Sequence, residues 1–236
     1  MRNGITRRVF LAAAGATLAL PRALLGKDEV PPMLDHILLG TSDLDSGIAF
    51  VEKHTGLRAA FGGVHPGRGT RNALLSLGER RYLEIIAPDP EQVGAADLYG
   101  LRALSAPRLI TWAVHPASIE EQAGRLRNAG IAFDGPTAGA RKRPDGRVLE
   151  WKTLVLKDTR GGLLPFFIEW SAGSVHPSAD APRGCRLLRF EIAAEDPGEL
   201  RRGFKAVGVE VSVVRGSRSE LRAALSGPAG ELSLTS

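Results

Sequence analysis

The sequence predicts an α+β protein built from repeated βαβββ modules, and three observations carry that prediction. Short apolar runs of strand length recur along the chain, a capped helical segment follows the first run of each group, and the order strand, helix, strand, strand, strand returns after a loop.

In the first group, Leu34 to Leu39 reads as a strand, and Ser42 or Asp43 can cap a helix that runs to about Thr55 and ends at Gly56. Strand-like runs near Arg58 to Phe61, Asn72 to Leu77 and Tyr82 to Ile86 complete a module over residues 33–88. A loop rich in Asp, Gly and Pro separates it from a second module over residues 108–170. There the strand Leu109 to Val114 precedes a helix Ser118 to Asn128, and strands follow at Ile131 to Phe133, Leu149 to Leu156 and Pro165 to Trp170. A third, less regular copy is expected over residues 186–236, with Pro197 at the start of its helix, where the missing N–H would have no partner anyway.

Ahead of the modules lies MRNGITRRVFLAAAGATLALPRALLG, a basic start followed by an apolar run from Val9 to Leu20 and a helix-breaking Pro21. The run is well short of the roughly 20 apolar residues that span a bilayer, so it reads as an export leader over residues 1–26, with no stable membrane insertion once it is removed. Thr6-Arg7-Arg8-Val9-Phe10-Leu11 resembles the twin-arginine consensus, which implies export to the periplasm or beyond. An ordinary secretory leader with adjacent arginines is the alternative.

Of the formal net charge of +5, Arg2, Arg7, Arg8 and Arg22 in the leader contribute four with no acid among them, leaving +1 for the rest. The remaining basic residues are spread among the acids and form no stripe, which argues against nucleic acid as a partner. Cys185 is the only cysteine, so an intrachain disulfide and a thiolate metal cluster are both excluded.

Two carboxylates stand inside apolar strands, Glu84 in RYLEII and Glu169 in PFFIEW. Burying an unpaired carboxylate is expensive, so each implies a cation, a hydrogen-bond donor or a metal. Alternation puts Glu84 on the face of Tyr82 and Ile86, and Glu169 on the face of Phe167. His36 sits in the opening strand, sharing a face with Leu38. The basic, glycine-rich stretch from His65 through Arg68 and Arg71 to Asn72 lacks the features of a phosphate loop. It can approach a ligand through Gly67 and Gly69, with Arg68 or Arg71 pairing to a carboxylate or phosphate; a turn with solvated arginines is the bland reading.

The modules opening on LDHI and closing on YLEIIAP, with the segments HPGRGTRNALLSLG and PFFIEW, resemble the glyoxalase-like domain family of the vicinal-oxygen-chelate superfamily over roughly residues 33–178. The resemblance implies a curved mixed sheet forming a cup, with helices on its outer face and ligands drawn from opening and closing strands. His36, Glu84 and Glu169 match three such positions as metal ligands, Glu84 and Glu169 doubling as catalytic carboxylates. The fourth falls on Thr111, seven residues before Ser118 as His36 is before Asp43, and a threonine there suits substrate contact better than metal binding.

The expected cofactor is a divalent ion, with Zn, Mn, Ni and Fe all compatible with histidine and carboxylate donors. His65, Arg68, Arg71, Asn72 and Thr111 are the expected substrate contacts. The implied function is metal-dependent chemistry on a small oxygen-bearing molecule, of lyase, isomerase, hydrolase or dioxygenase type. The alternatives are that arginines pair with the two glutamates and no metal binds, or that the cup is a non-catalytic binding protein for a small-molecule ligand. A homodimer is compatible with either.

Overall fold

The computed structural model describes residues 30–143 and 145–236. Eight strands form one sheet: β1 (Leu34–Gly40), β2 (Ala60–His65), β3 (Thr70–Ser76), β4 (Tyr82–Pro88), β5 (Arg108–Val114), β6 (Phe133–Lys142), β7 (Val148–Leu156) and β8 (Phe166–Trp170). Their order is β2-β3-β4-β1-β5-β8-β7-β6, and the sheet curls strongly into a half-barrel. The α+β class and the curved mixed sheet are as expected.

The helix α1 (Leu44–Thr55) starts where the Asp43 side chain accepts from the Ser46 N–H at 2.8 Å, and it stops at Gly56, whose φ of 77° places it in the left-handed region. The helix α2 (Ile119–Asn128) starts where Ser118 accepts from the Glu121 N–H. Both lie against the outer face of the sheet, where Leu39, Leu83, Ile85, Leu109 and Trp112 are essentially inaccessible to solvent.

Register relates the two modules. β1 and β4 are parallel with Leu38 opposite Glu84, while β5 and β8 are parallel with Ala113 opposite Phe166. Between modules, β1 and β5 are antiparallel, with His36 opposite Ala113 and Leu38 opposite Thr111. The two-fold relation this implies exchanges His36 with Thr111 and Leu38 with Ala113, and it makes Phe166 the counterpart of Glu84.

Residues beyond Trp170 form the short helix α3 (Pro177–Asp180), then β9 (Arg186–Ala194), α4 (Pro197–Val207), β10 (Ser212–Arg215), β11 (Glu220–Gly227) and β12 (Gly230–Thr235). The strand order is β10-β9-β11-β12, with β9 parallel to the strand directly after its helix. In the first module the parallel partner of β1 is the last strand, so the wiring of this third segment differs. It packs on the outer face of the large sheet, where Trp112 of β5 meets Phe190 and Phe204 with ring centroids 4.8 and 6.2 Å apart. That face is therefore covered by a second sheet as well as by helices.

One element departs clearly from the expectation. The strand expected at 131–133 runs instead from Phe133 to Lys142. Its Gly, Pro and Ala content reads as loop, and only pairing with β7 makes it a strand. Its far end swings back toward β2, where a Cβ on Gly63 would lie 3.0 Å from the Lys142 carbonyl oxygen. Glycine permits that approach.

Candidate functional site

The concave face of the half-barrel encloses a cavity of about 300 Å³. His36 of β1 and Glu84 of β4 both face it, because their strands are adjacent and both lie on the concave side. His65 at the end of β2 and Asn72 of β3 reach the same point. The His36 Nε2 lies 3.5 Å from one Glu84 oxygen, and the His65 Nε2 lies 3.7 Å from the other. The Asn72 amide donates to Glu84 Oε1 at 2.7 Å.

A β-bulge supplies the next layer. Between Leu34 and His36 the β1 strand carries one residue more than β5, and the extra residue is Asp35. Strict alternation would send Asp35 away from His36, whereas the bulge brings its carboxylate to 2.7 Å from His36 Nδ1. Asp35 is fully buried and also accepts from the Trp170 indole N–H at 3.1 Å, with His176 Nε2 at 3.2 Å. Burial would raise its pKa, but these hydrogen bonds and the charges of His36 and His176 reverse that and hold it far below the usual carboxylate range.

Proton positions follow from the partners. A carboxylate only accepts, so His36 carries a proton on Nδ1, toward Asp35, while its Nε2 faces a Glu84 oxygen at 3.5 Å. His65 Nε2 faces the Asn72 amide nitrogen at 3.4 Å, so it is an acceptor, and its Nδ1–H goes to the Thr70 hydroxyl at 2.9 Å. Burial lowers the His65 pKa and keeps the ring neutral, although Glu84 opposes the shift. For Glu84, burial acts to raise the pKa, but His36, His65, the Asn72 hydrogen bond and Arg141 together bring it below its ordinary value. Glu84 is thus an anion at neutral pH.

Other expected residues are placed differently. Glu169 lies on the opposite face of β8 from the cup residues Phe166, Ile168 and Trp170, and its Oε2 accepts from the Ile119 N–H at 2.7 Å. It caps α2, where an anion complements the helix N-terminus. It does not join Glu84, so the shared His36, Glu84 and Glu169 site is not formed. Thr111 is on the concave side but lines a neighbouring cavity of about 450 Å³ rather than the one at His36. Arg68 borders both cavities. Arg71 falls on the helix side beside Leu44 and Asp45, since it alternates with the cup-facing Thr70 and Asn72.

The sequence reading missed Asp35 and Arg141. The signal for Asp35 was present in LDHI, but a bulge has no local signature there. Arg141 lies in a basic run that looks like solvated surface, yet it is 4% exposed and lines the cup.

The model of a family described as a glyoxalase-like domain matches residues 34–208. The chain belongs to that family. No curated protein matches it significantly. Among solved structures, the glyoxalase-like chain is similar to a hypothetical protein from Staphylococcus aureus at 14% identity and a TM-score of 0.58, covering 86% of this chain and 84% of that one. It also matches the methylmalonyl-CoA epimerases of Streptomyces coelicolor, at 19% identity, TM-score 0.44 and coverage of 62% and 99%, and of Mycobacterium tuberculosis, at 21% identity, TM-score 0.41 and coverage of 63% and 93%. These identities speak to the fold alone.

In one half of the cup, His36 and Glu84 of this glyoxalase-like domain are spaced as two ligands of one divalent ion would be. Two donors each about 2.1 Å from a shared ion at a tetrahedral angle are separated by about 3.4 Å, close to the observed His36–Glu84 spacing of 3.5 Å. The Asp35–His36 contact is the carboxylate support that metal-bound imidazoles have. The other half offers Thr111 and Phe166. Among the described residues no group of three His, Cys, Asp or Glu side chains, His36, His65 and Glu84 included, is arranged to hold a metal ion by itself.

Glu169→Gln should therefore cost about 1 kcal/mol of stability through the weakened helix cap, and any ion affinity of the cup should be the same in the variant as in the wild type. A denaturant midpoint and a metal titration on the same variant check both halves; a loss of ion binding would return Glu169 to the site.

Proposed function

We propose that this chain is a metal-assisted enzyme acting on a small oxygen-bearing molecule, with His36 and Glu84 as a two-donor half-site. The supporting observation is that His36 Nε2 and Glu84 Oε2 face each other at 3.5 Å while the far nitrogen of the imidazole is held by Asp35. A ring nitrogen and a carboxylate oxygen at that spacing suit the two ligands of a shared cation, and a buried carboxylate calls for a counter-charge.

When bound, the ion would polarise a substrate oxygen. The chain's own groups divide the remaining work. Glu84, held ionised, suits a ligand better than a base. His65, buried and neutral, presents its Nε2 lone pair at the same point, held only by a 3.4 Å contact with the Asn72 amide, and is the residue able to take a proton from carbon or oxygen. Thr70 fixes its tautomer through Nδ1. Proton abstraction beside a polarised carbonyl is isomerase or lyase chemistry. Because the second half of the cup supplies Thr111 and Phe166, the substrate or water must complete the ion's shell.

Titrating the purified chain with Zn, Mn, Ni and Fe tests this reading. Stoichiometric binding, with a melting temperature that falls on chelation, is expected. The rival is a non-catalytic protein that sequesters a small molecule in the same cup, favoured by the absence of donors at Thr111 and Phe166. Substoichiometric metal together with indifference to chelator would make that rival the better reading.

We also propose export by the twin-arginine route. The leader residues 1–26 lie outside the described residues, and among the latter no helix is long and apolar enough to cross a membrane. Changing Arg7 and Arg8 together to Lys should trap precursor in the cytoplasm. Undiminished export of that variant, read by cell fractionation, would remove the twin-arginine assignment.

A further inference from the structure

We infer that Arg141 is an anion-recognition residue of the cup, so that the molecule taken there carries a carboxylate or phosphonate-type group in addition to any oxygens facing His36 and Glu84. The inference rests on the cup being the ligand site, and not on the ion.

Arg141 lies near the end of β6, where the curled sheet brings that strand against β2. Its side chain is 4% exposed and lines the cavity. Among the described residues it makes no hydrogen bond and no ion pair, and its Nη1 is fully enclosed without an acceptor. A buried guanidinium with its fork unused is costly, and arginines in such places are normally paired with a carboxylate or phosphate.

The nearby arginines show the contrast. Arg143 is paired with Asp180 at 2.7 Å, and Arg147 with Asp145 at 2.7 Å. Glu84 attracts Arg141 electrostatically across the cup, but its oxygens are turned to Asn72, His36 and His65 and none pairs with the guanidinium. Arg141 is thus left with its charge for something that enters.

Two features shape what enters. The β2 backbone makes room for the guanidinium with Gly62 and Gly63, where an added Cβ would lie 2.9 and 3.0 Å from Nη1. The cavity walls include Trp151, Trp170, Phe166 and Tyr99, which suit a flat apolar body attached to the anion.

The test uses the purified chain in chelator-containing buffer, titrated separately with benzoate, phenylphosphonate and the neutral benzamide. Either or both anions should bind at least about tenfold more tightly than benzamide, and the preferred one identifies the group. Arg141→Met should weaken anion binding by about 10- to 100-fold and leave benzamide binding unchanged, while Arg141→Lys restores part of the loss. The unliganded Arg141→Met protein should melt no lower than wild type, because an unpaired buried charge has gone.

If that variant fails to fold, Gly62→Ala keeps the charge but displaces the guanidinium, since the new Cβ would meet Nη1 at 2.9 Å and Asn72 Oδ1 at 2.5 Å. It should weaken anion binding too. Wild type binding neither anion, binding benzamide equally well, or a folded variant that keeps full anion affinity would each overturn the inference. Chelator in every arm makes these outcomes independent of whether an ion binds at His36 and Glu84.

Discussion

Replacing Glu84 by glutamine is expected to abolish the dependence of melting temperature on divalent ions. In the wild type, an ion bound only by the folded state stabilises it by about 2.7 kcal/mol when the free ion is at one hundred times its dissociation constant. The substitution keeps shape but removes the anionic donor opposite His36 Nε2, 3.5 Å away, and leaves that half of the cup with imidazoles alone.

The fold itself should tolerate the change. The Asn72 amide can still donate to the oxygen of the introduced amide, and the new N–H can face His36 Nε2. Stability in chelator should therefore be close to that of the wild type. The comparison needs four melting curves, two proteins with and without ion. A variant that keeps the ion-dependent shift would take Glu84 out of the site, and a wild type without one would leave the sequestering reading in place.

Asp35→Asn should have the largest effect on folding, a loss of about 3–5 kcal/mol, the usual range for removing one partner of a buried charge pair. The carboxylate serves His36, His176 and Trp170, which approach it from three elements of the chain. An amide has one acceptor oxygen, and its NH₂ would face the Trp170 N–H or a histidine donor. Ion affinity should fall as well, by about 10- to 100-fold, because His36 loses the group that fixes its tautomer.

The pH dependence has a definite sign. The folded Asp35 pKa is depressed, so its contribution is complete above the unfolded value of about 3.9 and fades as pH falls toward the folded one. The stability gap between wild type and variant should thus be full from about pH 5 upward and narrow in acid. Urea unfolding at several pH values measures it; a gap constant down to pH 2 would show that Asp35 contributes through shape rather than charge.

The sequence alone determined what depends on neighbours a few residues apart. A cap at Ser42 or Asp43 and a helix start at Ser118 were both legible, and Asp43 and Ser118 are the residues whose short polar side chains reach the first free N–H groups of α1 and α2. The order of strands and helices in the two paired modules was legible for the same reason. So was the equivalence of His36 and Thr111 in the two modules, and so was the need of the buried Glu84 carboxylate for partners.

Tertiary structure decided which face is which and who meets whom. In FFIEW nearly every position is apolar, so alternation puts Glu169 with Phe167 but cannot say that their face looks toward α2 rather than into the cup. The bulge that joins Asp35 to His36 exists only because β1 and β5 differ by one residue in register. Arg141 reads as an ordinary surface arginine until β6 pairs with β7 and curls against β2, across most of the sheet and nearly eighty residues of chain. Local sequence encodes the geometry of a segment. The faces, bulges and closures that make this site come from pairing between segments that are distant in sequence, so no single stretch carries their pattern.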